Sequence, residues 1–194
     1  MDMKRFSGKK GIVILIFLAC LIVGYYAYLS NRNNAKQEDA ESAILTDVEK
    51  TLSRDLETNY PPTPREVIKY FSDITKCFYN EEYSEEKLVE LAEKIRLLYD
   101  EELVANQTEA EYIKQLKEDI EEFKENKRTI YSYAPSSSID VETFTEDGYE
   151  WARLYCLYSI KEGAMVKKSN TQFLLRKDSD GHYKIYGWKL VEAE

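Results

Sequence analysis

The sequence predicts an α+β domain carried behind an N-terminal transmembrane helix. Three observations predict it: an uncharged apolar run from Gly11 to Leu29, apolar residues at helical spacing from Ala40 to Phe123, and two-residue alternation broken by turn signals from Lys127 onward. Helices first and strands afterwards is the order of an α+β protein with an antiparallel sheet. About three helices packed on four to five strands account for the pattern.

Residues 1–10 form a basic tail, with Lys4, Arg5, Lys9 and Lys10 against Asp2. Residues 11–29 read GIVILIFLACLIVGYYAYL. As a helix, Gly11 to Tyr28 spans about 27 Å, close to a hydrocarbon core of about 30 Å. Tyr25, Tyr26 and Tyr28 gather at one end, where amphipathic rings favour the membrane interface. The basic tail places the N-terminus in the cytoplasm and the rest of the chain outside the cell, anchored by a single pass; Arg32 and Lys36 weaken this asymmetry little. A cleaved signal peptide also begins basic and apolar, but no small-x-small site follows this run. Leu18-Ala19-Cys20 resembles the end of a lipobox, but Leu21-Ile22-Val23 follows the cysteine where a mature lipoprotein turns polar. An uncleaved signal anchor is the reading that fits best.

Residues 30–58 read as a linker and stalk helix: a polar, Asn-rich stretch, then Ala40, Ile44, Val48, Leu52 and Leu56 at four-residue steps. The same stripe also suits the first helix of the soluble domain, here bounded at 59–194. Asn59-Tyr60-Pro61-Pro62 ends it. Thr63-Pro64-Arg65-Glu66 is a helix start, with Thr63 as cap, Pro64 in the first helical position and Glu66 closing a capping box. Val67, Tyr70, Phe71, Ile74, Cys77 and Phe78 mark its buried stripe. Ser84 caps the next helix, which buries Leu88, Leu91, Ala92, Ile95 and Leu98. Thr108-Glu109-Ala110-Glu111 is a second capping box, opening a helix that buries Tyr112, Leu116, Ile120 and Phe123 and ends near Asn126.

Strands are predicted over Thr129–Ala134, Ser138–Thr145, Tyr149–Lys161, Thr171–Lys177 and Tyr183–Val191. Glu146-Asp147-Gly148 and Asp178-Ser179-Asp180-Gly181 supply hairpin turns, and Gly163 falls in a longer connection. In the long strand, Ala152, Leu154, Cys156, Tyr158 and Ile160 form the face assigned to the core. Trp151, Tyr155 and Leu157 share the other face with Arg153. Tyr183 and Ile185 have opposite parity to Trp188 and Leu190, which a bulge at Gly187 would reconcile.

Three helices followed by an antiparallel sheet resemble the nuclear transport factor 2-like (cystatin-like α+β) fold, a cone of helices over a curved sheet. The ending DGHYKIYGWKL, Asp180 to Leu190, is similar to the terminal hairpin of such domains. NYPPTPREVIKYF, Asn59 to Phe71, together with QFLLRKD, Gln172 to Asp178, resembles a narrower group of uncharacterised single-span membrane-anchored proteins of Gram-positive bacteria. The resemblance implies an envelope location and the cone fold; the group has no assigned reaction.

Of the chain's net −9, the basic tail carries +3 and residues 11–30 carry none, which leaves −12 on the remainder. An acidic domain is a poor nucleic-acid partner, because phosphate binding works by Lys and Arg displacing counterions. Enzymes of the resembled fold work inside the cone with an Asp, Glu or His beside a Tyr. Here His182, the sole histidine, sits in a turn, and no carboxylate lies on the predicted core faces of the strands; Asp140 and Glu142 read as solvated. No catalytic residue is assigned. No Cys/His cluster has zinc spacing, Asp178–Gly181 lacks the later ligands of a calcium loop, and no phosphate loop occurs, so no metal or cofactor is expected. Cys77 and Cys156 fit either one disulfide or two buried thiols.

Two functional readings precede catalysis. The first is a non-catalytic module for protein interaction or self-association, a homodimer or an envelope partner, through the exposed aromatic face of Trp151, Tyr155 and Leu157. The second is binding of a small apolar molecule in an aromatic pocket lined by Tyr112, Tyr131, Tyr158 and Phe173. An isomerase or dehydratase comes last.

Overall fold

A computed structural model describes residues 46–191 as five helices and a five-stranded antiparallel sheet. The apolar segment 11–29, with the tail before it and the linker to residue 45, lies outside the described residues. Among the described residues no helix is long and apolar enough to cross a membrane.

Helix α1 (Asp47–Leu52) opens on a capping box between Thr46 and Glu49. It holds Val48 and Leu52 of the stripe that predicted it, and the chain turns from Ser53 onward. Val48 and Leu56 are buried in the common core, and Tyr70 on the next helix donates its hydroxyl to the Thr51 carbonyl at 2.7 Å. This segment is thus the first helix of the domain rather than a free stalk, and the compact unit begins at Thr46 rather than residue 59. The stripe alone is silent on the difference, since an apolar face packs equally well on a partner helix or on its own domain.

Helix α2 (Pro64–Asn80) starts with Thr63 accepting the Glu66 amide at 3.2 Å. The reciprocal half of the expected box is replaced, because the Glu66 carboxylate turns to Arg65 at 3.3 Å. Val67, Ile68, Ile74, Cys77 and Phe78 lie almost fully buried along its face. At its end Asn80 acts as a strand mimic: its side-chain amide accepts the Ile130 N–H at 2.8 Å and donates to the Ile130 carbonyl at 2.9 Å. Helix α3 (Glu85–Arg96) is capped by Ser84 and buries Leu88, Leu91, Ala92 and Ile95 as predicted. A short helix α4 (Glu101–Ala105) follows, capped by Asp100 and too brief to leave a periodic signal. Helix α5 (Glu109–Glu125) opens with the full Thr108–Glu111 capping box.

The strands are β1 (Arg128–Pro135), β2 (Glu142–Glu146), β3 (Tyr149–Glu162), β4 (Met165–Lys177) and β5 (Tyr183–Val191), ordered β1-β3-β4-β5 with β2 also paired to β3. Ser138–Asp140 is a 3₁₀ turn, so β2 begins later than predicted. The β3–β4 link is a two-residue turn at Gly163-Ala164, with Gly163 at φ +61°, not a longer connection. β4 starts six residues before Thr171, and its first four residues are exposed on both faces. Without a buried face there is no apolar alternation to read.

Two bulges shape the sheet. One leaves Tyr131 unpaired between Ile130 and Ser132. The other inserts Tyr186, one residue before the glycine expected to do so, and returns Ile185, Trp188 and Leu190 to the helix-packed face. Ala152, Leu154, Cys156 and Tyr158 are buried on that face as predicted. Full burial of a side chain such as Leu154 contributes roughly 1.5–3 kcal/mol. Cys77 and Cys156 are both free thiols: Cys77 meets the Thr51 hydroxyl at 3.5 Å and Cys156 the Ser72 hydroxyl at 3.8 Å. Ser72 donates to the Ile68 carbonyl at 2.8 Å and so accepts from Tyr158 at 2.7 Å. The buried residues join in one cluster, and among the described residues no buried side-chain polar atom lacks a partner. Residues 46–194 therefore carry a complete core of their own.

Candidate ligand-binding site

Between the helices and the sheet lies a cavity of about 680 Å³. Helix α2 contributes Phe71, Thr75, Phe78 and Tyr79, one face at helical spacing. Helix α5 contributes Tyr112, Leu116, Asp119 and Phe123 from the stripe it turns inward. The sheet supplies the floor: Ile130, Tyr158 and Ile160, then Thr171 and Phe173, then Trp188 and Leu190. The chief contacts of α5 are with β1 and α2, and α4 packs on β5, so the space between them stays unfilled.

Aromatic rings make one wall. Phe71 lies 5.4 Å from Phe173 and 5.7 Å from Trp188, and Tyr99 lies 5.8 Å from Trp188. Tyr79 and Phe123 pair at 4.4 Å on another side. Trp188 and Leu190 are 47% and 75% exposed, so the cavity opens to solvent at their end of the sheet.

Polar groups are few. The Tyr99 and Tyr112 hydroxyls meet at 3.4 Å. Burial pushes Tyr99 well above the usual phenol range, with the neighbouring Tyr112 adding to it, and burial also raises Tyr112. Tyr79 is pushed up to about 12, chiefly by burial and then by Asp119. These hydroxyls keep their protons and are donors at any physiological pH. Arg96, half-buried in the last turn of α3, lays its guanidinium over the Tyr112 ring at 5.3 Å. Asp119, also in the lining, is exposed; partial desolvation, then Glu122 and Glu118, raise its carboxyl.

Of the four residues predicted for a pocket, Tyr112, Tyr158 and Phe173 line this cavity. Tyr131 does not: the bulge that leaves it unpaired also turns it out, 70% exposed. Trp188, Tyr99, Arg96 and Asp119 were missed as site residues. Asp119 was legible, because it follows Tyr112 by seven residues and so shares its face, yet a charged run invites the reading of a solvated surface. Arg96 was not, since a basic residue in a last helical turn is ordinary.

On the other face of the sheet, Trp151 is half-buried, stacked on Phe144 at 6.4 Å and edge-on to Tyr186 at 5.1 Å, with its Nε1 donating to the Glu146 carbonyl at 3.1 Å. Arg176 lies over Tyr149 at 4.7 Å and Tyr186 at 5.1 Å while binding both oxygens of buried Asp100 at 2.6 and 2.9 Å. Tyr155, 40% exposed, accepts from Gln172 at 2.6 Å, and Leu157 is half-buried. His182 stacks on Tyr60 at 4.3 Å in its hairpin, and the Asp178 carboxylate accepts the Asp180 and His182 amides, so that acidic loop is a self-capped turn. Among the described residues no group of three or more His, Cys, Asp or Glu side chains could hold a metal ion.

The fold and the cavity define an α+β domain whose helices enclose an aromatic chamber against one face of an antiparallel sheet. Over residues 1–188 the chain matches a domain of unknown function, DUF6715, and it belongs to that family. The match takes in the apolar segment as well as the folded unit. No curated protein matches the chain.

Proposed function

We propose that this protein is a membrane-anchored binding module of nuclear transport factor 2-like fold, which holds a small apolar molecule in its aromatic cavity outside the cytoplasm. The cavity carries the reading. At about 680 Å³ it falls in the range of small-molecule sites, roughly 300–1,000 Å³, and its walls are mainly aromatic and aliphatic with a few convergent donors. The uncharged run at 11–29 and the basic tail before it support the anchor and its orientation. Helices closed over one face of a bulged antiparallel sheet support the fold assignment.

Binding is favoured over catalysis on chemical grounds. Proton transfer needs an acid and a base within reach of one bound atom. The tyrosines of the lining hold their protons, and Asp119, the carboxylate among the lining residues, is exposed.

The two tryptophans make the test simple, since Trp188 lines the cavity and Trp151 lies on the opposite face. A neutral naphthylamine probe titrated into the 46–194 fragment should bind saturably. It should quench Trp188 in a Trp151→Phe variant and leave Trp151 unchanged in a Trp188→Phe variant. Equal quenching of both, or none, rejects the cavity reading.

A second reading, self-association or docking of an envelope protein, rests on the exposed Tyr149 and Tyr155 rings beside Trp151. Native mass spectrometry of the fragment decides it: a dimer that Tyr155→Ala dissociates supports this face, and a monomer at all concentrations ends the homodimer.

A further inference from the structure

We infer that the ligand is a single-chain amphiphile with an anionic head, its chain among Phe71, Phe173 and Trp188 and its head held by Arg96 with the Tyr99 and Tyr112 hydroxyls. This rests on the cavity reading above and adds the ligand's charge and shape.

The argument begins with a contrast between two arginines. Arg176 is paired on three sides by Asp100 and Glu102 carboxylate oxygens at 2.6 to 2.9 Å. Arg96 is also withdrawn from solvent, yet it meets a ring face, and among the described residues no carboxylate pairs with it. A guanidinium keeps its charge at every physiological pH and its planar fork matches carboxylate or phosphate oxygens. A half-buried fork at an apolar cavity is a site for an anion that the protein does not itself supply.

The groups beside it are also donors. The paired hydroxyls of Tyr99 and Tyr112, 3.4 Å apart, can share only one proton between themselves. One O–H is left to point at an incoming acceptor. Gln107, Gln115 and Asn106 in the same lining add amide donors. Asp119 is the opposing charge and acts on both Tyr79 and Tyr112, but it is exposed, where water screens it, whereas Arg96 is half-buried. Of the two charges, the half-buried one lies over the Tyr112 ring, whose hydroxyl meets that of Tyr99. The remainder of the lining is aromatic and aliphatic and suits a hydrocarbon chain.

A last-turn arginine also favours the helix dipole, and a stacked guanidinium stabilises a ring. Neither role would change the preference for a ligand's head group, so head-group preference is the quantity to measure. Dodecanoate, dodecyl phosphate, dodecanol and dodecylamine are each competed against the neutral naphthylamine probe bound to the 46–194 fragment. At neutral pH the two anions should bind about ten- to a hundred-fold more tightly than the alcohol, the worth of a hydrogen-bonded charge. Arg96→Gln should bring the anion-to-alcohol affinity ratio down to about one, whatever it does to the affinity of the alcohol itself. Arg96→Lys should restore part of the difference. A preference for the phosphate points to a lipid head group and one for the carboxylate to a free acid, and either supports the inference.

Equal binding of anion and alcohol, or a preference that survives Arg96→Gln, overturns it. So does tightest binding of dodecylamine, lost in Asp119→Asn, which would give the opening to the other charge. If the probe itself fails to bind saturably, the cavity reading falls first; if the probe and the alcohol bind and only head-group selectivity is absent, the inference alone falls.

Discussion

The two faces of the sheet hold the same residue types and reach opposite outcomes. On the face away from the helices, Phe144, Tyr149, Trp151 and Tyr186 close on one another and on the Arg176 guanidinium. Two of their polar atoms are satisfied locally, the Trp151 Nε1 by the Glu146 carbonyl at 3.1 Å and the Tyr186 hydroxyl by Glu102 at 3.0 Å. On the helix-packed face, Phe71, Tyr99, Phe173 and Trp188 meet in tilted and T-shaped pairs, and a chamber stays open beside them. Aromatic content therefore does not distinguish filling from lining. What distinguishes them is the reach of the partner elements: a guanidinium and a neighbouring strand close one cluster, while α5, held against β1 and α2, stands clear of the far end of the other.

The largest expected way to break this contrast is alkaline pH. Burial raises Tyr70 and Tyr79 to about 12 and Tyr99 and Tyr158 well above the usual value of 10. These side chains keep protons in the folded state that the unfolded chain gives up. The stability they contribute is complete below pH 10 and is lost as pH rises through the folded values. Cooperative unfolding between pH 10 and about 12 should accompany a late rise in tyrosinate absorbance; full ionisation with unchanged far-ultraviolet dichroism would show that these hydroxyls are not shielded.

Side-chain truncation compares the faces directly. Phe173→Ala, at a residue 1% exposed, should cost about 3–5 kcal/mol in urea unfolding, whereas Tyr155→Ala should cost less than about 1 kcal/mol. Comparable losses would mean that the outer face is as much a core as the inner one. Asp100→Ala removes one partner of a buried pair whose side chains are 14% and 5% exposed, and it also uncaps α4. A loss of about 3 kcal/mol is expected, with Glu102 keeping part of the Arg176 charge paired; a neutral result would detach the outer cluster from stability altogether. A smaller loss than these core changes, about 1 kcal/mol, is expected for Tyr158→Phe, which deletes the hydrogen bond to Ser72 while Ser72 keeps the Ile68 carbonyl. Equilibrium unfolding again reads it, and a cost near 3 kcal/mol would mean that the hydroxyl does more than this one bond.

The fold was largely legible because its signals are local. Thr63, Ser84 and Thr108 each cap the helix they were expected to cap, and β5 runs over the residues its alternation marked. The chamber was legible in part: Tyr112, Tyr158 and Phe173 follow from periodicity alone. Tyr131 was expected beside them and is not there, because a bulge is a tertiary event, here fixed by Asn80 at the end of α2 holding Ile130. Arg96 and Tyr99 escaped because their meaning comes from what does not pair with them, or from the helix fifteen or so residues further on.

The chain from Leu98 to Asp100 has one more consequence. It runs parallel beside β5, with Ile185 donating to the Leu98 carbonyl at 2.8 Å and accepting the Asp100 amide at 2.9 Å. That single bridge occupies backbone groups which would otherwise invite a strand from another molecule. At the opposite border β2 is five residues long, and β1 carries a bulge and ends in Pro135. Both margins of the sheet are thus poor templates for strand addition. Copies of this domain crowded side by side on a surface would meet through side chains, without backbone ladders growing from one to the next.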